Sequence, residues 1–328
     1  MKLIHIIGAD ISKKSVDLFC HGLHEHFKIK NDVSGFKTMQ LWLKKLELKI
    51  NELVIVMEHT GYYSFHFENF LHQNEIRFCK VSALAIKRSL GLVRGKSDKI
   101  DAQRIARYGY EKQDELHAQT PMDAELHRLQ ILNSNRNLLV KQRSSLMCTF
   151  KEHQVILKQS DPIIRMQLQL ISELSTQIKM LERQMKEVLG KPGAIAENFR
   201  LLTGIKGIGL IVSVATLIKT KNFTCFTNRK KFSCYCGSAP FEHSSGTTIR
   251  KKTRVSHLAD KSMKTLLTQS AKTAIQHDKE LKEYYQRRTL MGKSKKSTIN
   301  IVRNKLIYRM FAVIKRQTPF IHQYQKTA

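Results

Sequence analysis

The sequence predicts an α/β domain followed by a mostly helical, basic region. Within about the first 112 residues, strand-like apolar segments alternate with segments of helical periodicity. Residues 122–188 contain no Gly and repeat their apolar residues at steps of three and four, which is typical of long helices. Residues 201–328 have the largest excess of Lys and Arg. Together these observations divide the chain into an α/β part, a long-helix part and a basic part.

The α/β part begins with three strand-like segments and continues with helices and strands in alternation. Residues 52–59 form a nearly continuous apolar run that includes a carboxylate near its end, as central strands of covered sheets do. The predicted elements are strands at 3–10, 15–21 and 25–31, a helix at 34–49, a strand at 52–59, a helix at 61–73, a strand at 76–82, a helix at 83–92 and a helix from Ser97, its expected N-cap, to about residue 112. This order of elements is that of an RNase H-like fold.

Residues 122–188 predict two long helices joined near Pro162, that is, a helical hairpin. After Pro162, seven apolar residues recur at steps of three and four, which makes a seam of about three heptads. They are Leu168, Ile171, Leu174, Ile178, Leu181, Met185 and Val188. The seam predicts a coiled-coil arm that packs internally or against a second copy of the chain, and we expect self-association as a dimer or tetramer.

A segment with Gly and Pro, residues 190–193, ends the arm, and a compact basic region follows. Residues 201–209 resemble the turn of a helix-hairpin-helix, in which Gly-apolar-Gly before a helix exposes backbone N–H groups to phosphate. We therefore expect Lys206, Gly207 and Gly209 to contact nucleic acid; an ordinary glycine-rich turn is the alternative. Further helices are predicted at 228–236, 261–276 and 295–317.

Charge is unevenly distributed along the chain. The 328 residues contain 57 Lys and Arg against 27 Asp and Glu, a formal net charge of +30. Residues 1–200 have a net charge of +9, whereas 201–328 combine 26 basic with 5 acidic side chains, a net of +21. Because a solvated surface usually mixes both signs, this excess predicts a polyanion partner, and nucleic acid is the one expected. The predicted domains are an α/β domain at 1–115, a helical arm at 116–192 and a basic domain at 193–328.

The composition also bears on location. No apolar run reaches the roughly 18 to 20 residues that a membrane span requires. Asp10 interrupts the opening apolar segment before any site typical of signal-peptide cleavage. The six Cys are scattered through a chain long enough to bury a core, which favours reduced thiols. We expect a cytoplasmic protein with no membrane partner.

Four carboxylates occupy positions that an RNase H-like sheet brings together. Asp10 ends the first predicted strand, and Glu58 lies at the end of the strand beside it in such a sheet. Asp98 and Asp101 are three residues apart, so one helical turn places both on the same side. Clustered carboxylates repel one another unless a cation neutralises them, and oxygen ligands suit Mg²⁺ or Mn²⁺. The four acids therefore predict a site for Mg²⁺, or alternatively Mn²⁺, that acts on a phosphodiester; singly, each acid has a structural alternative as a turn residue, a strand end or a helix-dipole partner.

Three acidic motifs and a serine motif follow one another in the chain. The acidic motifs are Gly8-Ala9-Asp10-Ile11-Ser12-Lys13, Met57-Glu58-His59-Thr60-Gly61 and Lys96-Ser97-Asp98-Lys99-Ile100-Asp101-Ala102. Later come Leu202 to Gly209, Phe226, Phe232, Tyr235, Cys236-Gly237-Ser238-Ala239-Pro240 and Ser244-Ser245-Gly246. Over nearly its whole length the chain resembles the DEDD transposases of bacterial insertion sequences, the insertion sequence one-ten family, whose members are also called bridge-RNA-guided recombinases.

The resemblance implies a RuvC-like N-terminal domain in which Asp10, Glu58, Asp98 and Asp101 bind Mg²⁺. It also implies a serine nucleophile directly before a Gly, which corresponds to Ser245, with Ser244 as the alternative, and a phosphoserine link to DNA. In the family the acids of one protomer face the serine of another, and a structured RNA from the element's non-coding end selects the DNA. The resemblance thus implies DNA and a guide RNA as partners, a dimerisation role for the arm, and a protein associated with the bacterial nucleoid.

A serine hydroxyl is a weak nucleophile and requires a base or a metal to activate it. Four basic residues follow the serine motif and are expected to hold phosphates: Arg250, Lys251, Lys252 and Arg254. Two other hypotheses use the same residues differently. In a RuvC-like, structure-selective endonuclease the acids would activate water and no serine link would form. In a non-catalytic nucleic-acid-binding protein the acids would be structural.

Overall fold

The computed structural model describes residues 5–59, 61–91, 95, 97–226, 228–245 and 249–321, without the side chains of residues 242–245 and 249–254. The chain forms two compact units, Met1–Pro121 and Met122–Ala328. Of the predicted arm, residues 122–192 belong to the second unit together with the C-terminal helices, and residues 116–121 belong to the first. The division into three domains stays a prediction.

A five-stranded sheet forms the centre of the first unit. Its strands are β1 (His5–Ile11), β2 (Ser15–Cys20), β3 (Glu25–Lys30), β4 (Leu53–Glu58) and β5 (Arg77–Val81), in the spatial order β3-β2-β1-β4-β5. β1, β2 and β3 are consecutive antiparallel neighbours, whereas β4 lies parallel to β1 and β5 parallel to β4. Helices connect the parallel strands, since such strands require a crossover. The sheet confirms the α/β class predicted for this part of the chain.

Helices pack on both faces of this sheet. They are α1 (Val33–Lys45), α2 (Phe65–Gln73), α3 (Ala83–Ser89) and α4 (Asp98–Glu111). Alternate residues of β1, among them Ile7 and Ala9, belong to a core cluster that includes Phe36 of α1 and Phe67 of α2. Because successive residues of a strand point to opposite faces, Gly8 and Asp10 lie on the other face, which α4 covers.

The helix α4 lies unusually close to β1. A Cβ added to Gly8 would stand 2.1 Å from the carbonyl oxygen of Ala102 and 2.4 Å from the backbone nitrogen of Ala106. Both alanines are fully buried and pack with Phe19 of β2. Only glycine at position 8 leaves room for the helix backbone, so the sequence of β1 sets how near the first turn of α4 comes to the sheet.

The second unit is mostly helical. Its elements are α5 (Ala124–Ile156), α6 (Pro162–Leu189), α7 (Ala194–Thr203), α8 (Leu210–Thr220), α9 (Arg229–Tyr235), β6 (Pro240–Ser245), β7 (Ile249–Val255), α10 (Lys261–His277), α11 (Lys279–Leu290) and α12 (Lys295–Arg316). One core cluster joins the base of the α5–α6 pair to the C-terminal helices, through Leu129, Met185, Leu217, Leu267 and Leu306. The strands β6 and β7 form a two-stranded antiparallel hairpin.

The two predicted long helices, α5 and α6, lie antiparallel to one another. Arg136 of α5 donates to Glu182 of α6 at 2.9 Å, and nearer the connection His153 and Gln167 are 3.0 Å apart. The heptad seam is only partly covered: Ile178 and Met185 are buried, whereas Leu168 is 48% exposed. The coiled coil and the self-association stay predictions.

Four expectations about elements need correction. The helix expected at 34–49 ends at Lys45. The helix expected at 61–73 begins at Phe65, because Gly61 has a φ of +68° that no helix accommodates. The helix expected at 83–92 ends at Ser89. The hairpin of β6 and β7 was not among the predicted elements at all. In the part of the chain that the structure describes, no helix is long and apolar enough to cross a lipid bilayer.

Candidate active site

A row of charged residues crosses three strands on the α4 face of the sheet. Asp10 of β1 is the register partner of Asp17 of β2, and Asp17 is the register partner of Lys28 of β3. The strand β4 runs parallel to β1 in a register that makes its last residue, Glu58, the neighbour of Asp10. The sheet therefore brings Asp10, Asp17 and Glu58 to one place on this face.

The first turn of α4 adds two carboxylates. Ser97 caps the helix, and its Oγ accepts a hydrogen bond from the N–H of Ile100 at 3.3 Å. Asp98 and Asp101 lie in the first turn, where the helix dipole stabilises negative charge. The side chain of Asp98 is 62% exposed and that of Asp101 26%. The close approach of α4 to β1 sets these two acids beside the carboxylates of the sheet.

The pKa of Asp10 reports the proximity of the other acids. Burial raises the pKa of Asp10 to about 6, and repulsion by the neighbouring carboxylates contributes to the same shift. Those carboxylates are, from the strongest to the weakest effect, Asp101, Asp98, Glu58 and Asp17. The four acids singled out in the sequence thus interact within one cluster, and Asp17 is a fifth member.

Basic side chains contact three of these five acids. Lys28 Nζ lies 3.0 Å from Oδ2 of Asp17 and 3.4 Å from Oδ2 of Asp98. His26 Nε2 lies 2.9 Å from Oδ1 of Asp17. Arg104 Nη1 lies 3.1 Å from Oδ1 of Asp101. The charges of Lys28 and Arg104 neutralise part of the negative charge.

The donor set fits a hard divalent cation in its chemistry. Within the described ranges, no three His, Cys, Asp or Glu side chains are arranged so that they could hold a metal ion. The acids of α4 instead face Lys28 and Arg104, whose charges stand in for a cation. Carboxylate oxygens are the ligands that Mg²⁺ and Mn²⁺ prefer. A metal at this cluster requires Asp98 and Asp101 to leave their basic partners.

The predicted helix-hairpin-helix turn lies between α7 and α8. Lys206 is exposed. Gly209 is the N-cap of α8 and, as a glycine, has no side chain that could bond to the first N–H groups of the helix. Gly207 has a φ of +91°, and a Cβ there would stand 2.6 Å from the carbonyl oxygen of Ser270. Gly207 therefore has a packing role against α10. Contact of this turn with phosphate stays a prediction.

The serine motif lies at the turn end of the β6–β7 hairpin. Ser245 is the last residue of β6 and the register partner of Ile249, and Ser244 is the partner of Arg250. Outside the described residues lie Thr60 and Lys96 of the acidic motifs, Gly246 of the serine motif and the two residues after it, 247 and 248. The side chains of Ser244, Ser245, Arg250, Lys251, Lys252 and Arg254 are likewise not described.

Two family profiles match the chain. One, described as the transposase IS116/IS110/IS902 family, matches residues 199–286, which include Ser245. The other, a DEDD-type transposase profile of IS110, matches residues 7–159, which include all four acids. Together they cover about three quarters of the chain. The chain belongs to the IS110 family of transposases. It is therefore an enzyme of DNA recombination, as the resemblance in its motifs implied.

Two curated relatives align with this transposase from end to end. It is 27% identical to the pilin gene-inverting protein of Moraxella bovis, an alignment that covers 96% of this chain and 97% of the relative. It is 28% identical to the pilin gene-inverting protein of Moraxella lacunata, with the same coverage. Neither alignment leaves a large part of the chain unmatched.

A polar network surrounds Asp260, which lies between β7 and α10 in the chain of the transposase. Asp260, the N-cap of α10, accepts hydrogen bonds from the hydroxyls of Tyr235 at 2.9 Å and Ser262 at 2.6 Å. Lys219 Nζ lies 2.9 Å from Oδ2 of Asp260, the oxygen that also accepts from Tyr235. Burial alone would raise the pKa of Asp260, but hydrogen bonds from Ser262 and the N–H of Met263, with the charge of Lys219, hold it well below its usual value. The network ties together α8, α9 and α10, of which α9 precedes β6 and α10 follows β7 in the chain.

The start of β6 is held from α12. The carbonyl oxygen of Ser238 accepts hydrogen bonds from Nδ2 of both Asn300 and Asn304, each at 2.9 Å. Arg303, between these two, is 7% exposed and donates to Oγ1 of Thr268 at 3.3 Å. Helices of the C-terminal core thus fix the strand that leads to Ser245.

Sequence reasoning missed Asp17, Lys28 and Arg104 in the acid cluster. The available signal for Asp17 was its position as the one acid in β2, a strand with five other residues of which four are buried and apolar. The antiparallel register of β1 and β2 then places it opposite Asp10. No periodicity pointed to Lys28, which lies on an exposed edge strand.

Proposed function

We propose that this transposase cuts and rejoins DNA through Ser245, with a divalent metal ion held by Asp10, Glu58, Asp98 and Asp101. The main support is the pKa of Asp10, raised to about 6 by burial and by repulsion from the other acids. A cluster of mutually repelling carboxylates is tolerated best where a cation neutralises it. Because the family recombines DNA, the phosphodiester of DNA is the substrate on which such a cation would act.

Mg²⁺ is the proposed ion, with Mn²⁺ as the alternative. When bound, such an ion polarises the scissile phosphodiester and neutralises charge that develops on its oxygens. Asp10 and Glu58 supply oxygen ligands from the rigid strands β1 and β4, and Asp98 and Asp101 supply theirs from the first turn of α4. The two pairs lie on different elements, so the spacing of α4 from β1 determines the width of the site.

We assign the first unit to the RNase H-like, RuvC-like class. In support, the sheet order β3-β2-β1-β4-β5 combines an antiparallel trio with two parallel strands. The acids stand on β1, at the end of β4 and on the helix that covers them, which is where the element order predicts a catalytic cluster. The helix pair α5–α6 is proposed as a coiled-coil arm through which two protomers associate.

Ser245 is proposed as the nucleophile. Its oxygen forms a bond to the scissile phosphorus, the bond from phosphorus to one sugar oxygen breaks, and the proton lost by the serine ends on the sugar hydroxyl that leaves. The product is a phosphoserine link that conserves the energy of the phosphodiester and allows rejoining. Lys251, Lys252, Arg250 and Arg254 follow on β7 and are proposed to hold phosphates. In the composite arrangement, the acids of one protomer act with the serine of another.

The alternative is a RuvC-like endonuclease, in which the same acids activate water and strand cleavage is hydrolytic. To separate the two, the protein is incubated with DNA containing the ends of its element and Mg²⁺, then denatured and examined for covalent protein–DNA adducts. We expect an adduct with the wild type and with Ser244→Ala, and none with Ser245→Ala. An adduct formed by Ser245→Ala contradicts the serine assignment, and hydrolysed ends without any adduct favour the nuclease.

The acids are tested with the same DNA. Asp98→Ala and Asp101→Ala should abolish cleavage and leave DNA binding intact, because each removes a proposed metal ligand from an exposed or half-exposed position. Asp114→Ala, which removes an exposed acid elsewhere in the first unit, is the matched control. Cleavage by Asp98→Ala at the wild-type rate contradicts the metal site.

A structured RNA is proposed to select the DNA, and DNA inversion is proposed among the outcomes because both relatives are named for inverting a pilin gene. The net charge of +21 on residues 201–328 suits two nucleic-acid partners. Recombination is measured with and without a transcript of the non-coding DNA beside the gene. We expect it only with the transcript, and a change in the transcript's guide sequence should change the DNA that is joined. Equal recombination without RNA contradicts the guide.

A further inference from the structure

Lys28 connects a buried acid to an exposed one within the acid cluster. Its Nζ lies 3.0 Å from Oδ2 of Asp17 and 3.4 Å from Oδ2 of Asp98. Lys28 and Asp17 are register partners on neighbouring strands, whereas Asp98 comes from α4, 70 residues later in the chain. One ammonium group thus joins the sheet to the helix at the proposed metal site.

The contact with Asp17 anchors Lys28. Asp17 is 3% exposed, so its charge depends on partners within the protein rather than on water. Those partners are Lys28 and His26, at 3.0 Å and 2.9 Å. Leaving a buried carboxylate without its cation is costly, so Lys28 is expected to keep this contact.

The contact with Asp98 is of a different kind. The side chains of Lys28 and Asp98 are 53% and 62% exposed, and the distance is the longer of the two. Ion pairs between exposed groups contribute little, so this contact is readily broken. A divalent ion, with twice the charge of an ammonium group, is a stronger partner for the same oxygen.

We propose that Lys28 is a positioning residue, a tethered cation that competes with the divalent metal for Asp98. This inference rests on the proposed metal site. In the metal-free protein Lys28 holds the Asp98 carboxylate near the cluster and reduces the repulsion between the acids of the sheet and those of α4. When a metal binds, Asp98 exchanges Lys28 for the ion, while Lys28 stays with Asp17. The positive charge that remains nearby keeps metal affinity low.

The test measures Mn²⁺ affinity of the full-length protein without DNA, from the electron paramagnetic resonance signal of free Mn²⁺. Lys28→Met removes the competing charge and should tighten Mn²⁺ binding about five-fold, the range expected when an exposed ion pair and a nearby like charge are removed. Lys28→Arg keeps the charge and should retain wild-type affinity within about two-fold. Lys30→Met is the matched control, since Lys30 is exposed two residues further along β3.

If Lys28→Met fails to fold because Asp17 loses its cation, the comparison is made in an Asp17→Asn background, where the double variant Asp17→Asn with Lys28→Met should bind Mn²⁺ more tightly than Asp17→Asn alone. The proposal is overturned, and the metal site left standing, if a folded Lys28→Met protein binds Mn²⁺ no more tightly than wild type and Lys30→Met, or if the double variant binds it no more tightly than Asp17→Asn. Absence of saturable Mn²⁺ binding in wild type and in every variant overturns the metal site, and this inference with it.

Discussion

At the scale of single residues, Gly8 determines how closely the acids of α4 approach those of the sheet, because glycine has no side chain. Gly8 lies two residues before Asp10 in β1 and therefore on the same face of the sheet. A Cβ at this position would stand 2.1 Å and 2.4 Å from backbone atoms of α4, which cannot give way as a flexible side chain can. The same helix supplies Asp98 and Asp101 in its first turn. The glycine therefore controls the distance between the two pairs of acids.

We expect Gly8→Ala to lower the free energy of unfolding by more than about 2 kcal/mol, because α4 must move away from the sheet. The variant should also lose DNA cleavage, since Asp98 and Asp101 move with the helix. Urea unfolding followed by circular dichroism measures the first effect. Gly22→Ala is the control, because a Cβ there has no neighbour within 4 Å; it should change stability by less than about 0.5 kcal/mol. Equal stability of the two variants contradicts the close approach.

Asp10 destabilises the metal-free protein at neutral pH. Its pKa is raised to about 6 in the folded chain, against about 3.9 for an unperturbed Asp. Because the folded state binds the proton more tightly, stability falls as pH rises from about 4 to 6 and the full penalty applies above that. A loss of stability of this kind is expected where clustered carboxylates bind a cation.

Asp10→Asn should therefore stabilise the metal-free protein at pH 7, by up to about 3 kcal/mol. The gain should shrink toward zero as the pH is lowered to about 4, where Asp10 is itself protonated. The measurement is urea unfolding in a chelating buffer across this pH range. Asp114→Asn, a change at an exposed acid, should leave stability unaltered at every pH. A gain that does not depend on pH would argue against the raised pKa.

At the scale of elements, Asp260 joins the helices that precede and follow the β6–β7 hairpin in the chain. Asp260 is at once the N-cap of α10 and the partner of Lys219 and Tyr235, from α8 and α9. Its pKa lies well below the usual value, because hydrogen bonds and Lys219 outweigh the effect of burial. A depressed pKa means that the carboxylate stabilises the fold above about pH 4 and that this contribution is lost as the pH falls further.

Asp260→Ala should lower the free energy of unfolding at pH 7 by about 2 to 4 kcal/mol, since it removes a cap and the partner of two hydroxyls and an ammonium group. Asp161→Ala is the matched control. Asp161 caps α6 by accepting from the N–H of Ile163 at 2.8 Å, and its loss should cost only about 1 kcal/mol. The difference between the two variants should narrow below about pH 4. If both variants lose the same free energy of unfolding at pH 7, the contacts of Asp260 with Lys219 and Tyr235 add no stability beyond that of the cap.

Elements with a strong period were predictable from the sequence, and those without one were not. The helices α5 and α6 repeat apolar residues over many turns, and β4 is an apolar run, so both kinds were located. The strand β7, with the sequence Ile-Arg-Lys-Lys-Thr-Arg-Val, has too few apolar residues to show alternation. Asp17 escaped notice because its role arises from the strand register, a property of two segments together.

At the scale of the whole molecule, the two units divide the proposed chemistry. The four acids belong to the unit with the sheet, and Ser245 belongs to the unit that contains the residues with a net charge of +21. Both sets of residues were predicted from short, contiguous motifs, and the roles of the acids and of Ser245 stay predictions. The sequence gives no distance between the two sets.

Nucleic-acid binding by the basic unit should depend steeply on salt, because each phosphate contact releases counterions. The logarithm of the association constant should fall linearly with the logarithm of salt concentration between about 50 and 200 mM, as measured by fluorescence anisotropy with labelled duplex DNA. If Lys251 and Lys252 of β7 contact phosphates, replacing both by Gln should reduce the slope by about 0.9 for each contact and weaken binding to unrelated sequences equally. Replacing Lys141 and Lys151 of α5 by Gln makes the same change of net charge on the arm. A local contact predicts a smaller slope for the β7 pair alone, whereas equal effects of the two pairs would mean that net charge, and not the hairpin, holds the DNA.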